Sequence, residues 1–463
     1  MRTEPGRTGV PAPPPRSADI APGRPRPAAG TVWTVVLVAV LAGPALLWLL
    51  RSGPQPLWHQ LSDVTGLLAL SAMVVAATLP SRVRSLSRAL GLETLLALHR
   101  QLGVLAGALV AAHLATVVAA DPTRVALLDP LVAPARGIAA TGASIALTVL
   151  LVLALRRSRH RGTHEVWRWL HLLLAAAVLG ASALHVLWLG HVVADAVLGP
   201  VLAGLGVLLL AVLVSRWLMR AVFDQRSEFR VQEVRTESPT VSTLVLARRG
   251  RHSGGGTWFR PGQFAWLRLE RHAVEEHPFT IASSAQDTGR VEFTVRHTGD
   301  FAGRLRDLPP GEPVWLDGPY GAFTTDGVPG TGLVLIAGGV GITPMMSMLR
   351  TAADRGDRRP YRLVVHARDR ADLLFRAELA QLRTRLDLRV TEVLRRPALD
   401  WDGATGPIDT SLLAATLIDL DDPHRRVDYF VCGNPRLVTD VLDTLTALGV
   451  PENRVHTEQF HHV

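Results

Sequence analysis

The sequence is almost without cysteine, since Cys432 carries the only thiol among 463 residues. A single thiol excludes an intrachain disulfide framework, a zinc site built from several thiolates and an iron–sulfur cluster held by cysteines. No arrangement of serine, histidine and acid indicates a catalytic triad. The net charge of +9 does not predict a nucleic acid partner either, because many arginines flank apolar segments, where they anchor and orient membrane helices.

Long apolar runs are confined to the first half of the chain, although 48% of all residues are hydrophobic. Six runs are roughly long enough to cross a bilayer as helices. They lie at 31–50, 62–79, 93–119, 137–155, 166–189 and 193–219. Residues 1–30 are rich in proline, glycine and arginine, so we expect a disordered tail and no secretory signal. The pattern predicts a six-helix transmembrane bundle over residues 31–220.

Arginine is distributed unevenly over the segments that connect the apolar runs. It is concentrated in the N-terminal tail, in the second loop and in the RRSRHRGTHEVWR segment of the fourth loop. The intervening loops have fewer arginines, mixed with aspartates. By the positive-inside rule, the N-terminus and everything after the sixth run lie in the cytoplasm. We therefore expect a multi-pass protein of the cell membrane.

Two of the predicted membrane helices carry histidines with the same spacing. His99 and His113 are 14 residues apart, and so are His171 and His185. Residues 14 apart point to nearly the same face of a helix and lie ~21 Å apart along its axis. Both helices start at the cytoplasmic side, so His99 and His171 share one depth and His113 and His185 another. The two helices can therefore present two facing imidazole pairs.

Histidine is costly in lipid, which makes these four residues candidates for function. Each could instead bond to a neighbouring helix, although two matched pairs make that interpretation weaker. Zinc or copper also takes imidazole ligands, but two isolated pairs lack the further ligands that these metals usually need. A pair of imidazoles on opposite sides of one iron is what bis-imidazole haem ligation requires. The spacing thus favours two haems, stacked ~20 Å apart across most of a ~30 Å hydrocarbon core.

The second half of the chain changes to short alternating strands with glycine and proline between them. Residues 221–327 predict a small antiparallel β-barrel. Residues 328–463 predict a parallel α/β sheet with a ligand at the carboxyl ends of its strands. In this part GGVGITP (338–344) follows a buried strand and opens a helix, as a turn that cradles a pyrophosphate does. A glycine turn that serves only packing is the alternative.

Six short motifs occur in a characteristic order. They are FRPGQF (259–264), HPFTIASS (277–284), DGPYGAF (317–323), GGVGITP, VCGNPR (431–436) and HTEQF (456–460). In this order they resemble the ferredoxin-reductase-type flavoprotein module. With the six apolar runs and the paired histidines in front, residues 31–463 resemble the ferric reductase and NADPH oxidase superfamily.

The resemblance implies FAD in the barrel, NAD(P)H in the α/β domain and two b-type haems at the four histidines. Matched by position, the residues that would bind FAD are His277, Pro278, Phe279, Thr280 and Arg296. Those that would bind the dinucleotide are Gly338, Gly339, Gly341, Thr343 and Pro344, with Cys432 and Gly433 beside the nicotinamide. Phe460 matches the aromatic residue that covers the flavin.

The function implied is transmembrane electron transfer from cytoplasmic NAD(P)H through FAD and the haems to a small external acceptor. FAD is needed because haem iron accepts single electrons only. A basic outer rim favours a ferric chelate as acceptor; it consists of Arg51, Arg124 and Arg136, with His59 and His191. Val117 stands where oxidases of the family often carry a further histidine. Superoxide production is the first alternative. A flavin reductase of a cytoplasmic partner, with a structural membrane anchor and no haem, is the second. Arg368 and Arg370 slightly favour NADPH over NADH.

Overall fold

The fold comes from a computed structural model. It describes residues 27–81, 83–129, 131–156, 164–223, 228–248, 257–271, 273, 275–420 and 426–460. Most of the predicted N-terminal tail and part of the arginine-rich fourth loop therefore lie outside the described residues. The first helix already begins at Pro27, slightly before the predicted end of the tail.

The described secondary structure of the first half consists of helices and turns, and six of the helices are long and apolar enough to cross a membrane. This confirms the predicted six-helix architecture. The helices are α1 Pro27–Arg51, α2 Leu57–Thr78, α3 Arg84–Leu90, α4 Leu92–Ala120, α5 Ala135–Arg156, α6 His164–Leu189, α7 His191–Ala194 and α8 Leu198–Phe223. The sixth span starts later than the predicted residue 193. The Asp195 carboxylate accepts bonds from the backbone N–H groups of Val197 and Leu198, which separates α7 from α8.

Helix α2 lies at the centre of the bundle. Of the residues in its most apolar 18-residue stretch, 50% are buried inside the protein, whereas the buried share in the other five spans is 11% or less. Its buried face carries small residues, among them Ala69, Ser71, Ala72 and Ala76. Small side chains let neighbouring helix backbones approach closely where no hydrophobic effect drives association. Close approach to α2 matters for the histidines of α4, as shown below.

The next domain is a six-stranded antiparallel sheet. Its helix α9, Gly299–Arg306, lies in the chain between the fifth and sixth strands. Its strands are β1 Glu228–Ser238, β2 Val241–Arg248, β3 Phe264–Arg268, β4 His277–Thr280, β5 Arg290–Arg296 and β6 Pro313–Tyr320. Their order in the sheet is β4-β3-β6-β1-β2-β5. A bridge between Ile281 and Phe293 brings the two edges together. The predicted barrel is thus a strongly curled sheet whose edges meet at one point rather than along a ladder.

The last domain is a six-stranded parallel sheet with helices between its strands. The strands are β7 Gly332–Gly338, β8 Tyr361–Ala367, β9 Leu388–Leu394, β10 Ala404–Thr405, β11 Val427–Gly433 and β12 Val455–Gln459. The helices are α10 Ile342–Arg355, α11 Arg376–Leu382, α12 Thr410–Leu417 and α13 Pro435–Ala447. The order β10-β9-β8-β7-β11-β12 reverses between β7 and β11. Ligands of such sheets bind at this switch point, beside the strand ends.

Candidate functional site

The inner histidine pair is brought together as predicted. The imidazole centres of His99 on α4 and His171 on α6 lie 6.1 Å apart, with ring planes inclined by 63°. Two imidazoles that share one metal ion would have centres about 6 Å apart, since a metal–imidazole bond is about 2.0 Å long. The spacing of these rings therefore fits a single iron held between them.

Backbone carbonyls orient three of the four imidazoles. His99 Nδ1 lies 2.9 Å from the carbonyl oxygen of Ala76, and His113 Nδ1 lies 2.8 Å from that of Ser62. His185 Nδ1 lies 2.9 Å from the carbonyl oxygen of Arg136. A carbonyl only accepts, so Nδ1 is the donor in each of these bonds, and in the neutral ring Nε2 then keeps its lone pair. This is the arrangement that prepares a histidine for a metal.

The two carbonyls on α2 repeat the spacing of the histidines on α4. Ser62 and Ala76 are 14 residues apart, as are His113 and His99, and the two helices pair in opposite chain directions. Gly66 makes room for the outer ring, because a Cβ atom at this position would lie 3.0 Å from His113 Nδ1. The sequence alone gave no signal for Ser62, Gly66 or Ala76, since two of them act through the backbone and the third through an absent side chain.

The outer histidine pair shares a cavity. His113 and His185 both line a space of ≈ 830 Å³, measured with its open mouth, between α2, α4, α5 and α6. Its remaining walls are mainly alanine, leucine and valine side chains, with Asp63, Ser144 and Ser182 among the polar ones. An apolar cavity of this kind with a few polar groups is typical of cofactor sites.

The flavin motif forms strand β4 at the edge of the antiparallel sheet. The hydroxyl oxygen of Thr280 is buried and has no hydrogen-bond partner among the described residues. His277 packs its ring on Phe301, with centroids 4.4 Å apart, and burial lowers the pKa of this imidazole below its usual value. Phe279 is half-buried and stacks on the same Phe301 ring at 6.2 Å. Pro278 lies between them and is exposed. An orphaned buried hydroxyl fits a site that a polar ligand completes.

The glycine turn after β7 lies directly beside the flavin domain. A Cβ atom on Gly339 would lie 2.9 Å from an Nη atom of Arg296, so this guanidinium from β5 reaches the turn. Helix α10 starts there without a side-chain cap in the described part of the chain. Its first N–H groups and the nearby arginine suit a pyrophosphate. The Thr343 hydroxyl donates to the carbonyl of Val340, and Pro344 follows in the first turn.

The turn is packed closely against the end of β11. A Cβ atom on Gly341 would lie 2.4 Å from the carbonyl oxygen of Cys432, so only glycine fits there. Cys432 itself is fully buried. The next residue, Gly433, adjoins Gly338 and accepts a bond of 2.9 Å from the backbone N–H of Phe460. The predicted dinucleotide residues and the C-terminal aromatic residue therefore meet at the switch point of the sheet.

The flavin domain contacts the bundle at the end that carries the inner histidine pair. A Cβ atom on Gly91, just before α4, would lie 3.7 Å from the Cβ atom of Ala322, which follows β6. His99 is eight residues further along, about 12 Å on a helix. Arg368 and Arg370 follow the end of β8, the strand that pairs with β7, where His366 is in register with Gly338. Their side chains form ion pairs with Asp372 and Asp400.

Comparison with known proteins agrees with this division. Residues 65–182 match the family of ferric reductase like transmembrane components, and residues 335–443 match the oxidoreductase NAD-binding domain. Ferredoxin–NADP reductase B of Sorangium cellulosum is 32% identical over 242 residues, which are 50% of this chain and 97% of that protein. The chain belongs to the ferric reductase and NADPH oxidase superfamily. The superfamily predicted from the motif order is thus confirmed.

The general activity of the chain follows from its membership of this superfamily. It is an NAD(P)H-dependent oxidoreductase, with a multi-pass membrane domain fused to a module for FAD and NAD(P)H. The reductase component of propane 2-monooxygenase from Rhodococcus jostii is 30% identical over 244 residues, covering 50% of this chain and 64% of that protein. The flavohem-like FAD/NAD-binding domain of nitric oxide dioxygenase from Vibrio cholerae aligns with 50% of this chain and 98% of its own, at 25% identity and a TM-score of 0.43.

Proposed function

We propose that this protein carries electrons from cytoplasmic NAD(P)H through FAD and two b-type haems to an acceptor on the outer side of the membrane. The observation that carries the proposal is the inner histidine pair, with ring centres 6.1 Å apart and His99 Nδ1 lying 2.9 Å from the carbonyl oxygen of Ala76. A structural histidine would need only its hydrogen bond. Here the two rings lie close together on different helices, and His99 bonds through Nδ1, which leaves its Nε2 for a metal. Both features support a shared iron.

Each group of residues then has a separate task. Bound FAD would supply the conversion of a hydride into single electrons, and bound haem would supply single-electron transfer, chemistry that side chains do not supply. His99 and His171 would hold the inner haem, and His113 and His185 the outer one. Thr280 would bond to the flavin, while Arg296 and the glycine turn would neutralise the phosphates of the cofactors. Gly341 permits the close contact with Cys432 that brings the dinucleotide to the flavin.

The relative positions of these groups support the same direction of transfer. The flavin domain contacts the bundle beside Gly91, near the inner pair, and the outer pair lies 14 residues further along α4 and α6. This spacing corresponds to ~21 Å along a helix. By the positive-inside rule, the arginine-rich loops support a cytoplasmic position for the flavin side.

For the acceptor we propose a ferric chelate. Arg136 supports it, because this exposed residue gives its carbonyl to His185 and so stands beside the outer site. The other arginines of the predicted rim are partly neutralised, since Arg51 pairs with Asp195 at 3.6 Å and Arg124 with Asp121 at 3.4 Å. The positive charge that attracts an anionic chelate is therefore local to Arg136 rather than spread over the whole rim.

The test uses the purified full-length protein without oxygen. We expect two haems per chain and a reduced-minus-oxidised spectrum of low-spin haem b after addition of NAD(P)H. Absence of haem would support the flavin reductase with a structural anchor instead. In proteoliposomes with NAD(P)H on the flavin side, a ferric chelate outside should be reduced faster than oxygen. Superoxide formation at the same rate, unaffected by the chelate, would reverse the choice of acceptor.

A further inference from the structure

One face of helix α10 is bound to the flavin domain. The Ser347 hydroxyl donates to the carbonyl of Ser283 at 2.8 Å, and the backbone N–H of Ala285 donates to the Thr351 hydroxyl at 2.9 Å. Arg350 Nη1 donates to the carbonyl of Ala282 at 2.7 Å. Positions 347, 350 and 351 share one helix face. We call these three residues, with the segment 282–285 that they bind, the α10 latch.

Arg350 is the centre of the α10 latch. Its guanidinium also bonds to Glu292 on β5 at 2.9 Å and to both carboxylate oxygens of Glu378 on α11 at 2.6 Å. The side chain of Arg350 is 12% exposed and that of Glu292 is 3% exposed. One buried cation thus joins the two domains of the reductase module. The pair with Glu378 is bidentate and the pair with Glu292 is buried, and each fixes geometry better than an exposed single contact does.

The α10 latch lies between the two cofactor sites. The segment 282–285 follows Thr280 by two residues, and Thr280 belongs to the flavin motif. Helix α10 begins at the glycine turn that would cradle the dinucleotide. A displacement of α10 along the flavin domain would therefore move the nicotinamide relative to the flavin. Hydride transfer requires reacting atoms about 3–3.5 Å apart, and a misplacement of about 1 Å can slow a reaction about 100-fold.

We propose that Arg350 is a positioning residue for hydride transfer, with Ser347 and Thr351 fixing the register of α10 on the flavin domain. The α10 latch sets the distance between nicotinamide and flavin, and it contributes little to the affinity for either cofactor. This assignment rests on the proposed transfer of a hydride from NAD(P)H to FAD. It does not depend on the haem sites or on the acceptor.

The test compares Arg350→Met, Arg350→Lys and Arg355→Met in the full-length protein. Methionine removes the charge, while lysine keeps it but lacks the fork that bonds two carboxylates. Arg355 is the matched control, since it lies on the same helix and pairs with Asp326, which is not part of the α10 latch. Glu292 keeps its bond to Arg290 at 2.7 Å in the Arg350 variants, so its carboxylate stays paired.

Anaerobic stopped-flow spectroscopy follows flavin reduction by NAD(P)H and by its 4-deuterated form. We expect Arg350→Met to lower the limiting rate at least 10-fold, with less than a 3-fold change in the dissociation constant of NAD(P)H. The deuterium isotope effect should rise, Arg350→Lys should recover part of the rate, and Arg355→Met should match the wild type. Ser347→Ala, a smaller change, should lower the rate in the same way if Arg350→Met does not fold.

Three results would overturn the proposal. The first is a wild-type limiting rate in Arg350→Met that retains full FAD. The second is a loss of NAD(P)H affinity with an unchanged limiting rate. The third is that both Arg350 variants and Ser347→Ala lose bound FAD and limiting rate to the same extent, which would show a purely structural role. If the wild type itself does not oxidise NAD(P)H with a soluble dye, the proposed function fails, and that outcome is distinct from the other three.

Discussion

The indole ring of Trp167 stacks on the imidazole of His171, with ring centroids 5.0 Å apart and planes inclined by 24°. The two residues lie one turn apart on α6, at the end of the bundle that the flavin domain contacts. A flat aromatic neighbour restricts rotation of the imidazole about its own axis. Because His171 would hold the inner haem, this contact is expected to set the orientation of one haem ligand.

Replacing Trp167 should therefore change the inner haem without removing it. In Trp167→Leu the imidazole of His171 gains freedom, so the low-spin electron paramagnetic resonance signal of the inner haem should broaden or shift. Trp167→Phe should restore most of the signal. Trp169→Leu is the control, since Trp169 lies on the same helix and is 47% exposed. Identical spectra for Trp167→Leu and the wild type would contradict this role.

Each outer histidine should be needed for one haem only. His113→Leu and His185→Leu should each lower the haem content from two to one per chain, measured as pyridine haemochrome against protein. The inner pair does not touch the outer cavity and should keep its haem. His191→Leu is the control, because His191 lies beyond α6 and bonds to the carbonyl of Leu189. Retention of both haems in His185→Leu would remove the basis of the outer site.

Thr280→Val should weaken FAD binding without destabilising the protein in the absence of FAD. The Thr280 hydroxyl is buried and has no partner in the described part of the chain, so valine removes an unsatisfied group and adds none. A net hydrogen bond contributes about 0.5–1.5 kcal/mol, so the dissociation constant of FAD should rise up to about 10-fold. Titration of the FAD-free protein measures it, with Thr236→Val on the exposed side of β1 as control. A loss of thermal stability of the FAD-free variant would indicate that the hydroxyl has a structural role instead.

Gly341→Ala should abolish dinucleotide binding and leave FAD in place. The added methyl group would lie 2.4 Å from the carbonyl oxygen of Cys432, which is backbone and cannot turn away. The turn must therefore open, and the N–H groups at the start of α10 lose their common direction. Fluorescence titration with NADP(H) and NAD(H) measures the effect. Gly289→Ala provides the control, since its Cβ meets nothing closer than 3.9 Å.

Acid should destabilise the flavin domain partly through His277. Burial lowers the pKa of His277 in the folded state, so the unfolded chain binds a proton first as the pH falls. The free energy of unfolding therefore decreases below a pH of about 6.5, the usual pKa of histidine. His277→Gln should reduce this dependence, followed as the melting temperature of FAD release between pH 5.5 and 7.5. Burial lowers the pKa of His297 in the same domain as well, so part of the dependence should remain.

Much of the architecture follows from the sequence, because the patterns concerned are local. Apolar runs of bilayer length predict the spans, and the change to short alternating strands predicts the two sheets of the second half. The equal spacing of His99–His113 and His171–His185 predicts two pairs at two depths, since a helix converts sequence separation directly into distance. The motif order predicts the superfamily, which is confirmed. The roles of the individual cofactor residues remain predictions.

The tertiary structure alone decided which groups support these residues. The carbonyls of Ser62 and Ala76 orient His113 and His99, yet a backbone carbonyl has no signature in the sequence. In the sequence, nothing distinguishes Arg350 from the many other arginines of the chain. Only the packing of α10 on the flavin domain places it between Glu292 and Glu378. A sequence pattern indicates the periodicity of a single helix or strand. These contacts depend instead on where two elements that are distant in the chain approach each other.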